Sequence, residues 1–347
     1  MNREVTAFAP ASVSNVASGF DIMGFALDGP GDSVTVRLTD SPRVRIRKIT
    51  GTTTALPMDV ERNTAGPPVL AVLELYKKGR EISPAERGTD FNPEKQGIEI
   101  DIHKGLPIGS GIGSSATSAV AAAVAANELL GAGLSLDKIL ECAIEGEKIA
   151  SGAVHVDNLA PSLFGGFILV RGYNPIDIVR IKPPKSLWCT IIYPHIEIRT
   201  IEARRILPKE VPLCDVIMQT GNAAGLVAGL MSEDYGLIGR SLKDVIAEPA
   251  RAHLIPRFKE MKDAAIAAGA LGCSISGAGP SLFALSSSKE CATKAGDSMS
   301  GVLQQAGVKH SVMVSGICQA GTRIISGPTN GEPIKAPQGA LLIPFMS

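Results

Sequence analysis

Apolar and polar positions alternate most strictly in Gly97–His103 (GIEIDIH), the period of a strand with one buried face. Looser alternation predicts strands over Val5–Ala9, Ser33–Leu38, Val44–Ile49, Gly165–Val170 and Ser311–Ile317. The unbroken apolar run Leu187–Tyr193 has the pattern of a strand buried on both faces. Helical spacing predicts helices over Asn63–Lys78, entered through Pro67 and Pro68, over the Ala-rich Ser115–Leu130, and over Ser135–Ala150, where Ser135 or Asp137 can cap. Further helices are expected at 212–231, 256–268 and 289–306, with a strand–turn–strand over Gly272–Leu285. Residues 11–32 are small, polar and Gly-rich, and read as a loop holding the apolar run Ile22–Leu27. Strands and helices alternate without a regular βαβ repeat, so the expected class is α+β with two domains, 1–172 and 173–347. The Pro-rich stretch Ile181–Lys185 marks the boundary zone, and the tail after Arg323 carries Gly and Pro punctuation without readable chemistry.

Charge narrows the function. Lys plus Arg and Asp plus Glu both number 34, a balance that argues against a general nucleic-acid or anionic-membrane binder but leaves room for a local basic pocket. The six cysteines lie far apart, with no C-x-x-C pair and no paired zinc spacing. No basic-then-apolar leader is visible, and no apolar run approaches the ~20 residues of a membrane span. Reduced thiols in the cytoplasm are the expectation.

The strongest motif is Pro107–Ala116 (PIGSGIGSSA), between a predicted strand and a predicted helix. Glycines let backbone N–H groups close on an anion, and the helix N-terminus adds its positive dipole end, which makes a phosphate cradle. Ser114 and Ser115 can cap the helix, bond phosphate oxygens or reach a metal-bound water; the bland alternative is a tight turn with a Ser cap. No lysine follows the glycines, so this is not a P-loop. Gly111-x-Gly113-x-x-Ala116 satisfies the looser dinucleotide fingerprint, but a second helix follows where that fingerprint requires a strand. An NAD-dependent oxidoreductase is therefore the cross-class alternative, and a binding protein with a degenerate nucleotide site a third.

Pro107–Ala116 resembles the central nucleotide loop of the GHMP kinases, and Ser274–Ser281 (SISGAGPS) resembles their C-terminal glycine motif. Ala9–Val16 with Gly19–Asp21, His155–Pro161 (HVDNLAP), Thr200 with Arg204, and Glu248–Arg251 with Leu254–Pro256 resemble segments of the homoserine kinases within that superfamily. Mevalonate kinase-like and galactokinase-like members carry a Lys or Arg near the position of Ser12, which this chain lacks. The matches run from residue 5 to residue 285. Other acceptors within the superfamily (mevalonate, shikimate, a sugar) are the near alternatives.

The resemblance implies a two-domain GHMP kinase fold: an N-terminal domain like ribosomal protein S5 domain 2, with a left-handed crossover, and a ferredoxin-like C-terminal domain. It implies ATP with Mg2+, L-homoserine as the small-molecule partner, no nucleic acid, no membrane, and a homodimer. Nucleotide contacts fall on Asn63 and on Pro107, Ile108, Gly109, Ser110, Gly111, Ile112, Gly113, Ser114 and Ser115. Asn63 is where an amide could pair with the adenine edge; a turn or N-cap role ahead of Thr64 is the alternative. Ser115 and Glu147 are the implied metal ligands, with Glu145 the fallback. Asp21, with Asn15 beside it, suits the substrate ammonium. Arg204 and Arg251 suit the carboxylate, because a guanidinium offers a planar fork. Thr200, His155 and Gly277 complete the substrate set. Asp157 falls where some superfamily members place a catalytic carboxylate, and Asn158 can bind the reacting hydroxyl. Without a basic partner near Ser12, Asp157 is kept as a catalytic-site residue with its role as base left open, since a loose transition state lets the hydroxyl lose its proton late.

Overall fold

The computed structural model describes residues 4–79, 91–151 and 154–326. Its first strands, β1 (Glu4–Val16) and β2 (Gly19–Thr39), form a long antiparallel hairpin. Residues 11–32, read from sequence as a loop, are therefore largely strand. Ala11, Ser12, Val13 and Ser14 are all buried, so small side chains replace the usual alternation. The glycines mark close packing instead of turns: a Cβ on Gly24 would fall 1.9 Å from the Asp157 carbonyl oxygen, and one on Gly31 2.1 Å from that of Ala9.

Strands β3 (Val44–Gly51) and β4 (Gly97–Lys104) run parallel, with α1 (Gly66–Lys78) in the connection, and β4 lies antiparallel to β2. Over this sheet lie α2 (Ser114–Leu130), α3 (Leu136–Ser151) and α4 (Val156–Phe164). Every residue of α2 from Ala116 to Ala126 is buried, and its alanines let α1, α3, α4 and the sheet approach closely. Ser135 caps α3 as expected, accepting the Lys138 N–H at 3.3 Å. Helix α4 was not foreseen, because Pro161 sits inside it. Pro161 has no N–H to offer the Asp157 carbonyl four residues back, and that carbonyl is where Gly24 packs. Strands β5 (Phe167–Tyr173) and β6 (Ile176–Ile181) close this half.

The second half runs β7 (Trp188–Pro194), α5 (Thr200–Arg205), α6 (Leu213–Ser232), α7 (Tyr235–Ser241), α8 (Ala247–Arg251), α9 (Phe258–Ala267), β8 (Gly272–Ile275), β9 (Leu282–Ser286), α10 (Lys289–Gln305) and β10 (His310–Ile317). Its strand order β10-β7-β9-β8 is that of a ferredoxin-like βαββαβ unit, as the resemblance implied. The halves share one sheet. Gly316 and Ile317 of β10 pair with Asp28 and Leu27 of β2, and a final strand, β11 (Arg323–Ser326), pairs with β1. A core crosses the junction, with Phe25 stacked on Phe167 at 4.6 Å and edge-on to Phe283 at 6.0 Å. The tail beyond Ser326 lies outside the described residues.

Helix α6 corrects one expectation. By length and composition Leu213–Ser232 could cross a bilayer, although no such run was expected. Here Leu226, Gly229 and Leu230 are buried against the protein, while Leu213, Val216, Ile217, Met218 and Met231 face outward, the first at 72% exposure.

Candidate active site

A cleft of about 660 Å³ opens between the halves, floored by the two glycine motifs. Gly109, Gly111 and Gly113 all have positive φ (66°, 79° and 74°), which turns successive amides toward one side. The motifs, far apart in sequence, interlock: Ser276 Oγ donates to the Gly111 carbonyl at 2.7 Å, and a Cβ on Gly111 would fall 2.6 Å from the Ser276 carbonyl oxygen. A Cβ on Gly113 would fall 2.2 Å from Ser12 Oγ. Gly113 occupies the N-cap of α2, and no side chain caps it. The Ser cap of the bland alternative is thus not made: Ser114 Oγ donates to the Leu106 carbonyl at 3.3 Å and Ser115 Oγ to Glu147 Oε2 at 2.9 Å. The amides of the first turn are left to a ligand.

Ser115 and Glu147 both line the cleft, and Glu147 is 3% exposed. Their oxygens are hard donors, and their 2.9 Å separation suits adjacent ligands of an octahedral magnesium with bonds of ~2.0–2.1 Å. No cluster of three His, Cys, Asp or Glu side chains suited to a metal occurs among the described residues, so such an ion would draw its other ligands from phosphate and water. Glu145, the fallback ligand, instead pairs with Lys148 at 2.7 Å on the solvent side of α3. Asn63 lines the cleft but its amide is already engaged, donating to the Pro57 carbonyl at 2.8 Å and accepting the Ala65 N–H at 3.0 Å. In this conformation Asn63 is the turn-former of the two readings.

The other end of the cleft gathers residues from five segments. The hairpin tip holds Asn15, which lines the cleft, and Asp21, which does not, both at positive φ (54° and 59°), an uncommon conformation for residues with a side chain. Asn15 Oδ1 accepts the Asp21 N–H at 2.8 Å, and Asn15 Nδ2 donates to the Gly277 carbonyl at 2.9 Å. Arg251 Nη1 donates to that same carbonyl at 3.2 Å and Arg251 Nε to the Ala203 carbonyl at 3.0 Å, while its guanidinium lies 4.9 Å over Phe20. Burial pushes Arg251 down to about 10. Arg204 forks onto Asp21 at 2.7 and 3.0 Å, a hydrogen bond that raises the Arg204 pKa. The two residues expected to grip opposite ends of a zwitterion are therefore bonded to each other.

His155 caps the start of α4 in position only, is 9% exposed, and lines the cleft with Thr200. Its Nε2 and the Ser14 Oγ are buried without hydrogen-bond partners among the described residues. Burial, then the Arg204 charge, holds His155 below its ordinary pKa. Two orphaned polar atoms at the cleft wall are the sign of a polar ligand. Asn158 also lines the cleft and accepts from Ser12 Oγ at 3.0 Å. Asp157 does not line it. It is 1% exposed, accepts the Asn15 N–H on Oδ2 at 3.2 Å, and leaves Oδ1 without a partner; burial first, then the Asp21 charge, lifts it to about 7.

Sequence reading missed Ser14, Glu197 and Lys104, which also line the cleft, and Ser12, which lies behind Gly113 and donates to Asn158. Only Ser12 and Ser14 carried a signal, since they fall inside the opening motif; Glu197 meets Gly109, where a Cβ would fall 3.3 Å from its Cγ.

The profile of the GHMP kinases N terminal domain matches residues 70–166, and that of the GHMP kinases C terminal matches 226–305. The chain is 48% identical over 330 residues to the homoserine kinase of Chlorobaculum tepidum, covering 93% of this chain and 99% of that one. It is 40% identical over 324 residues to that of Xanthomonas campestris, covering 93% and 95%. The crystal structure of homoserine kinase from Cytophaga hutchinsonii superposes with a TM-score of 0.86 at 48% identity, over 94% of this chain and 98% of that one. The L. major mevalonate kinase structure, at 15% identity and a TM-score of 0.65, covers 89% and 95% and shares the fold.

Proposed function

The chain belongs to the homoserine kinases of the GHMP kinase superfamily, and on that premise we propose how its cleft transfers the γ-phosphoryl group of ATP to the side-chain hydroxyl of L-homoserine, giving O-phospho-L-homoserine on the route to threonine. The observation that carries this reading is the pairing of an uncapped glycine loop with the Ser115–Glu147 couple at one end of the cleft and a charged, partly unsatisfied pocket at the other. Of residues 107–115, Ile108–Gly111 and Gly113–Ser115 line the cleft and hold the triphosphate through backbone amides, while Pro107 has no N–H and Ile112 faces the core; Ser115 with Glu147 would hold magnesium, which neutralises charge on the phosphates when bound.

The acceptor binds by exchange. Its ammonium takes Asp21 from Arg204, and its carboxylate takes the guanidinium so released, together with Arg251. Asn15, Thr200 and His155 fix its orientation, with His155 neutral near pH 7 and free to accept or donate at Nε2. Asn158 meets the reacting hydroxyl beside Gly113, where Asn158 Oδ1 would lie 3.1 Å from an added Cβ. Asp157 supports Asn15 from behind and takes no proton. Coupled ADP release over homoserine, mevalonate, galactose and shikimate tests the assignment; a higher kcat/KM for any acceptor other than homoserine would overturn it.

We also propose that two copies pair through α6, in the cytoplasm, where the six free cysteines suit a reducing compartment. Leu213, Ile217 and Met231 stand at the ends of one exposed stripe, with Gly221, Ala224 and Ala228 between them, so an antiparallel copy sets large groups against small. Asp215 is the sole charged residue of the helix, which lacks the Lys and Arg that would favour a lipid surface. Light scattering should give a dimer for the wild type and a monomer for Ile217→Glu; a monomeric wild type rejects the pairing.

A further inference from the structure

The glycine loop has seven residues between Leu106 and Ser114, three of them at positive φ, a composition that favours mobility. Beneath it lies a buried ion pair to which none of the site chemistry above gives a role. Asp32, on β2, is fully buried, and Lys104, the last residue of β4, is 2% exposed. The carboxylate accepts from both sides of the loop. On the entry side Asp32 Oδ1 accepts the N–H groups of Gly105 and Leu106 at 3.0 and 3.3 Å. On the exit side Asp32 Oδ2 accepts the hydroxyls of Thr117 and Ser118, in the first turn of α2, at 2.6 and 2.7 Å. Lys104 Nζ bonds the same carboxylate and donates to the Ser114 carbonyl at 2.6 Å and Ser118 Oγ at 3.0 Å. One carboxylate and one ammonium thus join the strand that enters the loop to the helix that leaves it.

A buried pair costs desolvation of both charges and is weak evidence of stabilisation by itself. What this pair does supply is a fixed distance between the loop ends, and a fixed aim for the amides of Ser114 and Ser115. We propose that Asp32 and Lys104 are positioning residues of the phosphoryl-transfer site: together they clamp both ends of the glycine loop so that its amides are set for the triphosphate before nucleotide arrives. Asp32 does not line the cleft, and Lys104 meets its floor with the ammonium committed to Asp32, the Ser114 carbonyl and Ser118. The clamp is local to the nucleotide end, since the acceptor pocket is held by Asn15, Gly277 and Arg251 through separate bonds.

The inference rests on the reading of the loop as the nucleotide cradle, and calorimetric ADP binding by the wild type tests that reading separately. The variant Asp32→Asn/Lys104→Met removes both charges and leaves no buried ion without its partner. It is expected to melt near the wild type, yet to bind ADP at least tenfold more weakly and raise KM for ATP similarly, with KM for homoserine within twofold. Ser118→Ala, which removes one strand of the clamp without touching charge, should weaken ADP binding three- to fivefold and speed hydrogen exchange within residues 107–115 alone. Wild-type ADP affinity in both variants, or equal losses for ATP and homoserine, overturns the proposal. Should the double variant fail to fold, Ser118→Ala decides by the same two readouts.

Discussion

The two ends of the cleft are built on opposite plans. At the nucleotide end the polar partners are internal and buried: Asp32, Lys104, Thr117 and Ser118 are each 2% exposed or less, and they bond one another under a loop whose amides face outward. At the acceptor end the partners sit at the surface and are mismatched for their task, with Asp21 and Arg204 at 32% and 41% exposure and bonded together. On the function proposed above, the first arrangement is ready before its ligand arrives and the second has to be undone by it. A triphosphate carries enough charge to fill any well-aimed cradle, so rigidity there costs no selectivity. A small amino alcohol is distinguished only by its two charges, and a pocket whose own charges are satisfied until both are replaced favours a zwitterion over either half alone.

The largest expected effect breaks the prepared end. Glu147→Gln should lower kcat by at least ~100-fold, in the range of a lost transition-state electrostatic contact, with the fold intact and KM for homoserine little changed. Ser115→Ala, which leaves the carboxylate in place, should cost less. Titration calorimetry with ADP, with and without magnesium, would detect the lost metal linkage, and unchanged turnover in Glu147→Gln would move the metal elsewhere.

At the exchanging end the effect is smaller and selective. Charge-assisted hydrogen bonds contribute roughly 1.5–3 kcal/mol, so Arg251→Ala should raise KM for homoserine about tenfold to a hundredfold while sparing ATP. Homoserinol, which lacks the carboxylate, should be a poor substrate of the wild type and lose little in that variant. Arg204→Ala sharpens the contrast: it also frees Asp21, so homoserinol should bind as well as before or better while homoserine weakens. Equal losses for the two substrates would mean that the arginines hold the fold or the phosphates instead of the carboxylate.

The smallest effect on catalysis is expected between the two ends. Asp157 titrates near 7 in the folded protein, well above its value in the unfolded chain, so the folded state retains a proton that the unfolded state releases. Stability from this group is therefore lost as pH rises from about 4 to about 7 and is flat above. Asp157→Asn should raise the melting temperature, by little at pH 5 and by the equivalent of a few kcal/mol at pH 8. Turnover should fall by less than tenfold. A collapse of kcat with no pH-dependent stabilisation would make Asp157 the base after all.

Legibility followed the same division. The glycine loop and the helix it opens were readable because special backbone angles demand glycine and a long Ala-rich helix has few other readings. The ferredoxin-like half was readable in its strands. The hairpin β1–β2 was readable only at its open end, in Val5–Ala9 and Ser33–Leu38; nearer the tip Ser12 and Ser14 are buried in the strand, so polarity along the chain reported packing limits and not exposure. Pro161 hid α4 in the same way, since a proline usually stops a helix and here only removes one bond next to Gly24. The Arg204–Asp21 pair had no sequence signal, because it joins α5 to the hairpin tip across the whole first half of the chain. The buried Asp32 and Lys104 fall one residue outside the predicted strands Ser33–Leu38 and Gly97–His103, where the sequence carries no signal of burial.

The shared sheet has a consequence for how the molecule is made. Strand β1, which walls the cleft with Ser14 and Asn15, gains its outer neighbour only from β11, with Thr6 opposite Ser326. A ribosome releases the first strand long before the one that covers its edge. Until then β1 exposes a row of unpaired amides and carbonyls to every other nascent chain nearby. Contacts of such long sequence separation form slowly, because the loop they close is nearly the whole described chain. The hazard therefore falls early in synthesis, and the shielding of β1 by β2 on one side and by α2 and α4 above is what the growing chain has to rely on until residue 326 arrives.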